Sequence, residues 1–248
     1  MNHKFSIFLF FLKPLCAQES ILITQNNDVI YQAGDCNKRY SPCSTFKIAI
    51  SLMGYNEKIL KNESLPEWHY TSSYNAPFAK WQQSHSPSLW IKNSCVWYSQ
   101  IITQKIGMEK FQSYVDMFNY GNKNILGSKL KNGLTHCWLS NSLKISVKEQ
   151  VDFLNKLIKN QLPVSLEAHH FTRNLLFIEQ LSLNCELYGK TGLGLINNKE
   201  IGWFIGWMKN NQDIFIFAAV LENQKEKIPL SQKAKKLVKD KLRELIKL

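Results

Sequence analysis

Ser44 and Lys47 stand three apart near the start of the stretch Ser41-Pro42-Cys43-Ser44-Thr45-Phe46-Lys47-Ile48-Ala49-Ile50-Ser51-Leu52-Met53-Gly54. On a helix that spacing puts a hydroxyl and an amine on one face, within mutual reach. A serine hydroxyl is a weak nucleophile at neutral pH and needs an adjacent base. Lysine serves as that base only where burial keeps its amine neutral. The rest of the run is apolar almost all round, which predicts a buried helix with Pro42 and Gly54 marking its ends. Ser44 and Lys47 are therefore a candidate nucleophile and base. Alone the pair is a weak signal, because a capping serine with a snorkelling lysine has the same spacing. Ser128-Lys129-Leu130-Lys131 repeats it in a polar segment that cannot shield an amine.

Three further triplets carry reactive or site-shaping side chains. Ser94-Cys95-Val96 falls on a helix predicted from Leu89, Tyr120-Gly121-Asn122 opens a glycine-bearing loop, and Lys190-Thr191-Gly192 ends a predicted strand. The elements that must position them follow from periodicity and turn residues. A hairpin is predicted from residues 21–24 and 29–32 around Asn26-Asn27-Asp28, then loop with short helices over 57–88. Helices are predicted over 89–106, 109–118, 146–160 and 166–179, the third capped by Ser146 with a Gln rather than a Glu in support. Strands follow over 186–191, 201–209 and 214–221, with turns at Asn197-Asn198 and Asn210-Asn211. Leu230, Ala234, Leu237, Val238, Leu242 and Leu245 then recur at helical spacing among lysines. Strands at both ends with helices between predict an α/β (α+β) fold of one two-lobed domain. Its antiparallel sheet comes from both chain ends and is flanked by terminal helices. The sheet lobe is expected over about 18–40 and 185–248, and an inserted helical lobe over about 41–184. A groove between lobes suits a small-molecule ligand.

Residues 1–17 read as a secretory signal peptide: Lys4, an apolar core over 5–12, and Ala17 before the cut. That core is too short to span a bilayer, so a periplasmic or secreted protein without a stable membrane anchor is expected. Much of the net charge of +12 lies after Lys225, on the polar face of the final helix. With no nucleic-acid motif beside it, a solvated basic face is expected; a basic cell-surface adhesion domain is a remoter reading. Past residue 17 the cysteines are Cys36, Cys43, Cys95, Cys137 and Cys185, an odd set that is no disulfide framework, though Cys36 and Cys43 are near enough to join. Neither these nor the scattered histidines have metal-ligand spacing, so no metal is expected.

The order Ser44-Thr45-Phe46-Lys47, Ser94-Cys95-Val96, Tyr120-Gly121-Asn122, Lys190-Thr191-Gly192 resembles the serine β-lactamases and penicillin-binding proteins. More closely it resembles the class D (oxacillinase-type) β-lactamases. Trp138-Leu139 fits that family's loop before the Lys-Thr-Gly strand, and Ile201-Gly202-Trp203-Phe204-Ile205-Gly206-Trp207 fits the strand after it. The resemblance implies hydrolysis of penicillin-type β-lactams through an acyl-Ser44. It also implies carbon dioxide, from bicarbonate, captured on Lys47 as a carbamate base, with no other cofactor. Trp138 would donate its indole N–H to that group, and Val96 and Phe46 would wall it. Ser94 would relay a proton, helped by the Lys190 ammonium, while Lys190 and Thr191 hold the substrate carboxylate. Gly192 would let substrate approach the strand edge, Ser44 and Leu193 would offer backbone N–H groups to the oxyanion, and Tyr120 and Asn122 would shape the loop. The chain departs from many family members in having no arginine at the carboxylate site. Ile196 and Ser231 occupy the two usual regions, and Ser231 is the candidate contact. Cys43 and Cys95, beside these positions, would expose the site to oxidation. The alternative is a penicillin-binding or β-lactam-sensing domain that acylates without turnover. Val96, where sensors carry a polar residue, favours turnover.

Overall fold

The computed structural model describes residues 18–246. Strand β1 (Gln18–Gln25) turns into β2 (Asp28–Ala33) through Asn26 and Asn27, which take positive φ of 51° and 84°. Asparagine enters that left-handed region more easily than most residues. After β3 (Arg39–Tyr40), a single 3₁₀ turn at Cys43–Phe46 leads into α1 (Lys47–Asn56). Then come a short turn at Ala79–Trp81, α2 (Pro87–Asn93), α3 (Val96–Ile106) and α4 (Met108–Met117). A small hairpin of β4 (Gly127–Ser128) and β5 (Lys131–Asn132) precedes α5 (Gly133–His136), β6 (Ile145–Ser146), α6 (Val147–Ile158) and α7 (Leu166–Leu175). The chain closes with β7 (Phe177–Ser182), β8 (Cys185–Ile196), β9 (Lys199–Asn210), β10 (Asp213–Gln224) and α8 (Leu230–Ile246).

Six strands form one antiparallel sheet in the order β2-β1-β10-β9-β8-β7. The chain's first strand therefore lies beside its last. One face packs under α8, where Phe204, Phe217 and Leu221 meet Leu230, Ala234, Val238 and Leu242. The other face turns Trp203, Ile205, Ala218 and Val220 towards the helical lobe. Burial on both faces is why β9 and β10 read as unbroken apolar runs rather than alternating ones. Through the helical lobe runs α1, buried from Lys47 to Tyr55. It is tied to α7 by Ser51 Oγ and Thr172 Oγ1, 2.8 Å apart.

Five expectations need correcting. Gly54 does not end α1 but lies inside it, where an added Cβ would press on Leu60 at 3.0 Å. The helix predicted over 89–106 is two, broken at Ser94-Cys95: Ser94 is left-handed at φ 57° and its N–H donates to the Ile91 carbonyl. Such a cap ends α2 and turns α3 onto a new axis. The helix predicted over 166–179 stops at Leu175, because Phe177 begins the sheet's edge strand. Ser146 has a glutamate partner after all. Its Oγ accepts from Glu149 N at 3.2 Å while Glu149 Oε2 accepts from Ser146 N at 2.9 Å, a full capping box. Cys36 and Cys43 do not join; both thiols are free, and Cys36 Sγ donates to the Ile21 carbonyl.

Packing between β9 and the start of α8 is close enough to depend on one glycine. A Cβ on Gly202 would lie 2.2 Å from the Leu230 carbonyl carbon and 2.3 Å from Ser231 N. Backbone cannot yield there without lifting α8 off the sheet. Gly202→Ala is expected to cost about 3 kcal/mol of stability, as overpacked cores do, read as a lower urea midpoint. An unchanged midpoint would contradict this packing.

Candidate active site

The nucleophile sits on a turn that the surrounding structure pins at several points. Cys43 holds φ at 50°, a conformation disfavoured for a residue with a Cβ, and the turn keeps it there. Thr45 donates to the Pro42 carbonyl from both N (3.1 Å) and Oγ1 (2.7 Å). Ser41 Oγ donates to the Trp138 carbonyl at 2.9 Å and accepts from Ser140 N at 3.0 Å. The Ser41 carbonyl accepts from Trp203 Nε1 at 2.9 Å, which binds the turn to β9. Gln150 of α6, fully buried, donates from Nε2 to Thr45 Oγ1 at 3.0 Å. Held this way, Ser44 is only half-buried, and its Oγ lies 3.3 Å from Lys47 Nζ.

Lys47 has no exposed surface. Burial lowers its pKa from 10.5 to about 8, opposed weakly by the thiols of Cys95 and Cys43; no carboxylate takes part. Aromatic rings fill the space behind it, with Phe46 5.7 Å from Trp138 and 5.0 Å from Tyr120 between centroids. Trp138 is fully buried, yet its indole N–H has no acceptor. A buried unpaired donor is costly. An anionic acceptor built on the neighbouring lysine side would satisfy it.

The opposite wall is made by the helix break and by β8. Ser94, left-handed between α2 and α3, accepts from Lys190 Nζ at 3.0 Å; the same Nζ donates to the Thr191 carbonyl at 3.1 Å. Lys190 is buried, and desolvation together with repulsion from Lys47 and Lys80 drives its pKa well below 10.5. The ammonium expected from sequence is thus disfavoured here, and an incoming anion would favour it. Pairing of β7 with β8 stops at Phe177↔Tyr188, so the outer edge of β8 beyond Gly189 has no strand partner. That edge lies directly on the nucleophile turn. A Cβ on Gly192 would sit 2.9 Å from the Pro42 carbonyl oxygen, and one on Gly194 would sit 2.5 Å from Cys43 Sγ. An unpaired edge beside a nucleophile can receive an amide-containing ligand as an added strand.

Ser44, Lys47, Ser94, Lys190, Thr191, Gly192 and Trp138 thus converge from residues far apart in sequence. Leu193, half-exposed on β8, adjoins them, and Val96 opens α3 one residue past the break. Other candidates stand further back. Asn122 braces a loop, donating to the Ser142 carbonyl at 2.8 Å and accepting from Lys144 N at 2.9 Å. Tyr120 packs on Phe46 with its hydroxyl unpartnered. Ser231 is buried at the head of α8, with its backbone N–H against Gly202. The rival pair Ser128 and Lys131 lies exposed on the β4–β5 hairpin. Burial pushes the thiols of Cys43 and Cys95 up to about 11, which disfavours the thiolate through which oxidation proceeds. Sequence reasoning missed Ser41 and Gln150. Gln150 left a trace, being a polar residue on the face of α6 that carries Val147, Val151 and Leu154.

Comparison with known proteins agrees with this geometry. Residues 17–246 match the penicillin binding protein transpeptidase domain. Beta-lactamase OXA-9 of Klebsiella pneumoniae is 36% identical over 219 residues, covering 84% of this chain and 80% of the relative. Beta-lactamase OXA-1 of Escherichia coli is 38% identical over 211 residues, covering 83% and 75%. The crystal structure of the OXA-427 class D beta-lactamase superposes with a TM-score of 0.88 at 35% identity, covering 92% of this chain and 98% of that one. With Ser44, Lys47, Ser94 and Lys190 gathered in one groove on the same fold, the chain belongs to the penicillin-binding transpeptidase family and, within it, to the class D β-lactamases.

Proposed function

We propose that this protein opens the amide of penicillin-type β-lactams by way of an acyl-Ser44 ester and then hydrolyses that ester. The observation that carries the reading is the 3.3 Å contact between Ser44 Oγ and a fully buried Lys47 Nζ that has no acidic partner. A neutral Lys47 accepts the Ser44 proton as Oγ bonds to the lactam carbonyl carbon. Backbone N–H groups of Ser44 and Leu193 are the donors for the oxyanion. The C–N bond then breaks, and the departing nitrogen takes a proton through Ser94 Oγ, which Lys190 Nζ steadies at 3.0 Å. A substrate carboxylate near Lys190 and Thr191 favours the Lys190 ammonium. Water adds to the ester and releases the penicilloate-type acid with Ser44 restored.

Carbon dioxide held on Lys47 Nζ as a carbamate would supply an anionic base at this position. The residues fit it: Trp138 offers a buried N–H without an acceptor, and Phe46 and half-buried Val96 give apolar walls. An apolar Val96 suits turnover rather than a persistent acyl-enzyme. Export by way of residues 1–17, which lie outside the described residues, and action in the periplasm or medium belong to the same proposal. Among the described residues no helix is long and apolar enough to cross a membrane.

Hydrolysis of a chromogenic β-lactam tests the function directly. Release of many equivalents of product supports an enzyme, whereas a halt after one equivalent is the behaviour of a sensing or penicillin-binding domain. Lys47→Ala is expected to lower kcat by about a thousandfold, the usual scale for losing a general base; undiminished hydrolysis would remove Lys47 from that role. Trp138→Phe keeps the ring and deletes the N–H. Its steady-state rate is expected to fall and to recover partly with added bicarbonate, and indifference to bicarbonate would count against the carbamate. In buffer stripped of carbon dioxide, protonation of Lys47 below about 8 withdraws the base. There kcat/KM should rise roughly tenfold per pH unit towards 8 and flatten above it; a flat profile between pH 6 and 8 would exclude a free amine as base.

A further inference from the structure

A second space lies next to Lys190. A cavity of about 570 Å³ runs past Gly189, Lys190 and Thr191 where β7 ends its pairing with β8, bounded also by α2, α7 and α8. Small-molecule sites commonly have this volume. Its lining divides by chemistry. Ile91, Phe177 and Ile178 give an apolar side, while Lys92, Lys190 and Lys235 bring amines from three different elements. No carboxylate is among the residues lining it, and neither Ser44, Ser94 nor Trp138 reaches it. Lys190 and Thr191 are thus shared by this cavity and the reaction groove.

The amines here are poorly neutralised. Lys235 lies 3.7 Å from Glu179, but that carboxylate already binds Lys239 through both oxygens at 3.0 Å. Lys92, in the last turn of α2, has no ion-pair partner among the described residues. Lys190 is disfavoured as a cation by burial and by Lys47 and Lys80. An anion in the cavity would meet amines from α2, β8 and α8 and no opposing carboxylate in the lining.

We propose that this cavity binds a small organic acid, with an apolar ring or short chain against Ile91, Phe177 and Ile178 and carboxylates towards Lys92 and Lys235. A carboxylate there also sets a negative charge beside Lys190. Binding stands whether or not the protein hydrolyses β-lactams.

Isothermal titration of the mature protein with isophthalate, and with the neutral isophthalamide as control, tests the proposal. One isophthalate per chain is expected, with no heat from isophthalamide. Lys92→Gln and Lys235→Gln should each weaken isophthalate about five- to tenfold while leaving the melting temperature and the anion-free rate unchanged. Ser44→Ala should bind as the unaltered protein does. Absence of binding at millimolar isophthalate, equal binding of isophthalamide, or indifference to both lysine substitutions would overturn the site. So would a soaked crystal with isophthalate against Ser44 instead of in the cavity.

Discussion

An amine placed in a water-free interior without a counter-charge is the constraint from which the rest of the molecule follows. Moving the pKa of Lys47 from 10.5 to about 8 represents on the order of 3 kcal/mol against its charged form. The sign matters for stability. Because the folded state disfavours the ammonium, this residue weighs against folding as pH falls from the unfolded lysine's 10.5 towards 8, and the full weight remains below that. Nothing in α1 offsets it locally, since the helix carries no acidic residue and is buried from Lys47 to Tyr55. A fold carrying such a residue has to recover the loss elsewhere, and it does so with the aromatic packing of Phe46, Phe111, Tyr120 and Trp138 around it.

That packing also fixes where the nucleophile points. The turn at Cys43–Phe46 would relax if left alone, given the left-handed Cys43. Ser41 couples it to the Trp138–Ser140 segment and to Trp203 of the sheet, and Gln150 couples it to α6. Both lobes therefore grip the same short turn. The glycines of β8 complete the arrangement: Gly192 lets the strand approach the backbone of the turn at Pro42, and Gly194 leaves room for the Cys43 and Ser140 side chains.

Much of this was legible in the chain. The Ser44-x-x-Lys47 pair on an apolar helix, the Lys190-Thr191-Gly192 strand and the order of the triplets were enough to assign the class and the groove. What stayed hidden was geometry that depends on partners distant in sequence. Helical periodicity continues straight through Ser94, so only Cys95 packing beneath and Ile91 accepting from the Ser94 N–H reveal the break that aims the hydroxyl. Apolar spacing likewise carried a helix past Leu175, although Phe177 to Ser182 is captured by β8 as an edge strand. Charge states were hidden for the same reason. Lys190 reads as a cation in sequence and becomes a reluctant one only when the fold buries it and brings Lys47 and Lys80 near.

The unpaired stretch of β8 beyond Gly189 has a meaning apart from ligand binding. A bare strand border in a six-stranded sheet is a template on which other chains can polymerise. Here the helical lobe brings the nucleophile turn and Ser94 against it, which narrows the approach for a neighbouring polypeptide. Loosening that lobe would therefore expose a self-association seam at the moment it widened the groove, which ties breadth of ligand acceptance to solubility in this scaffold.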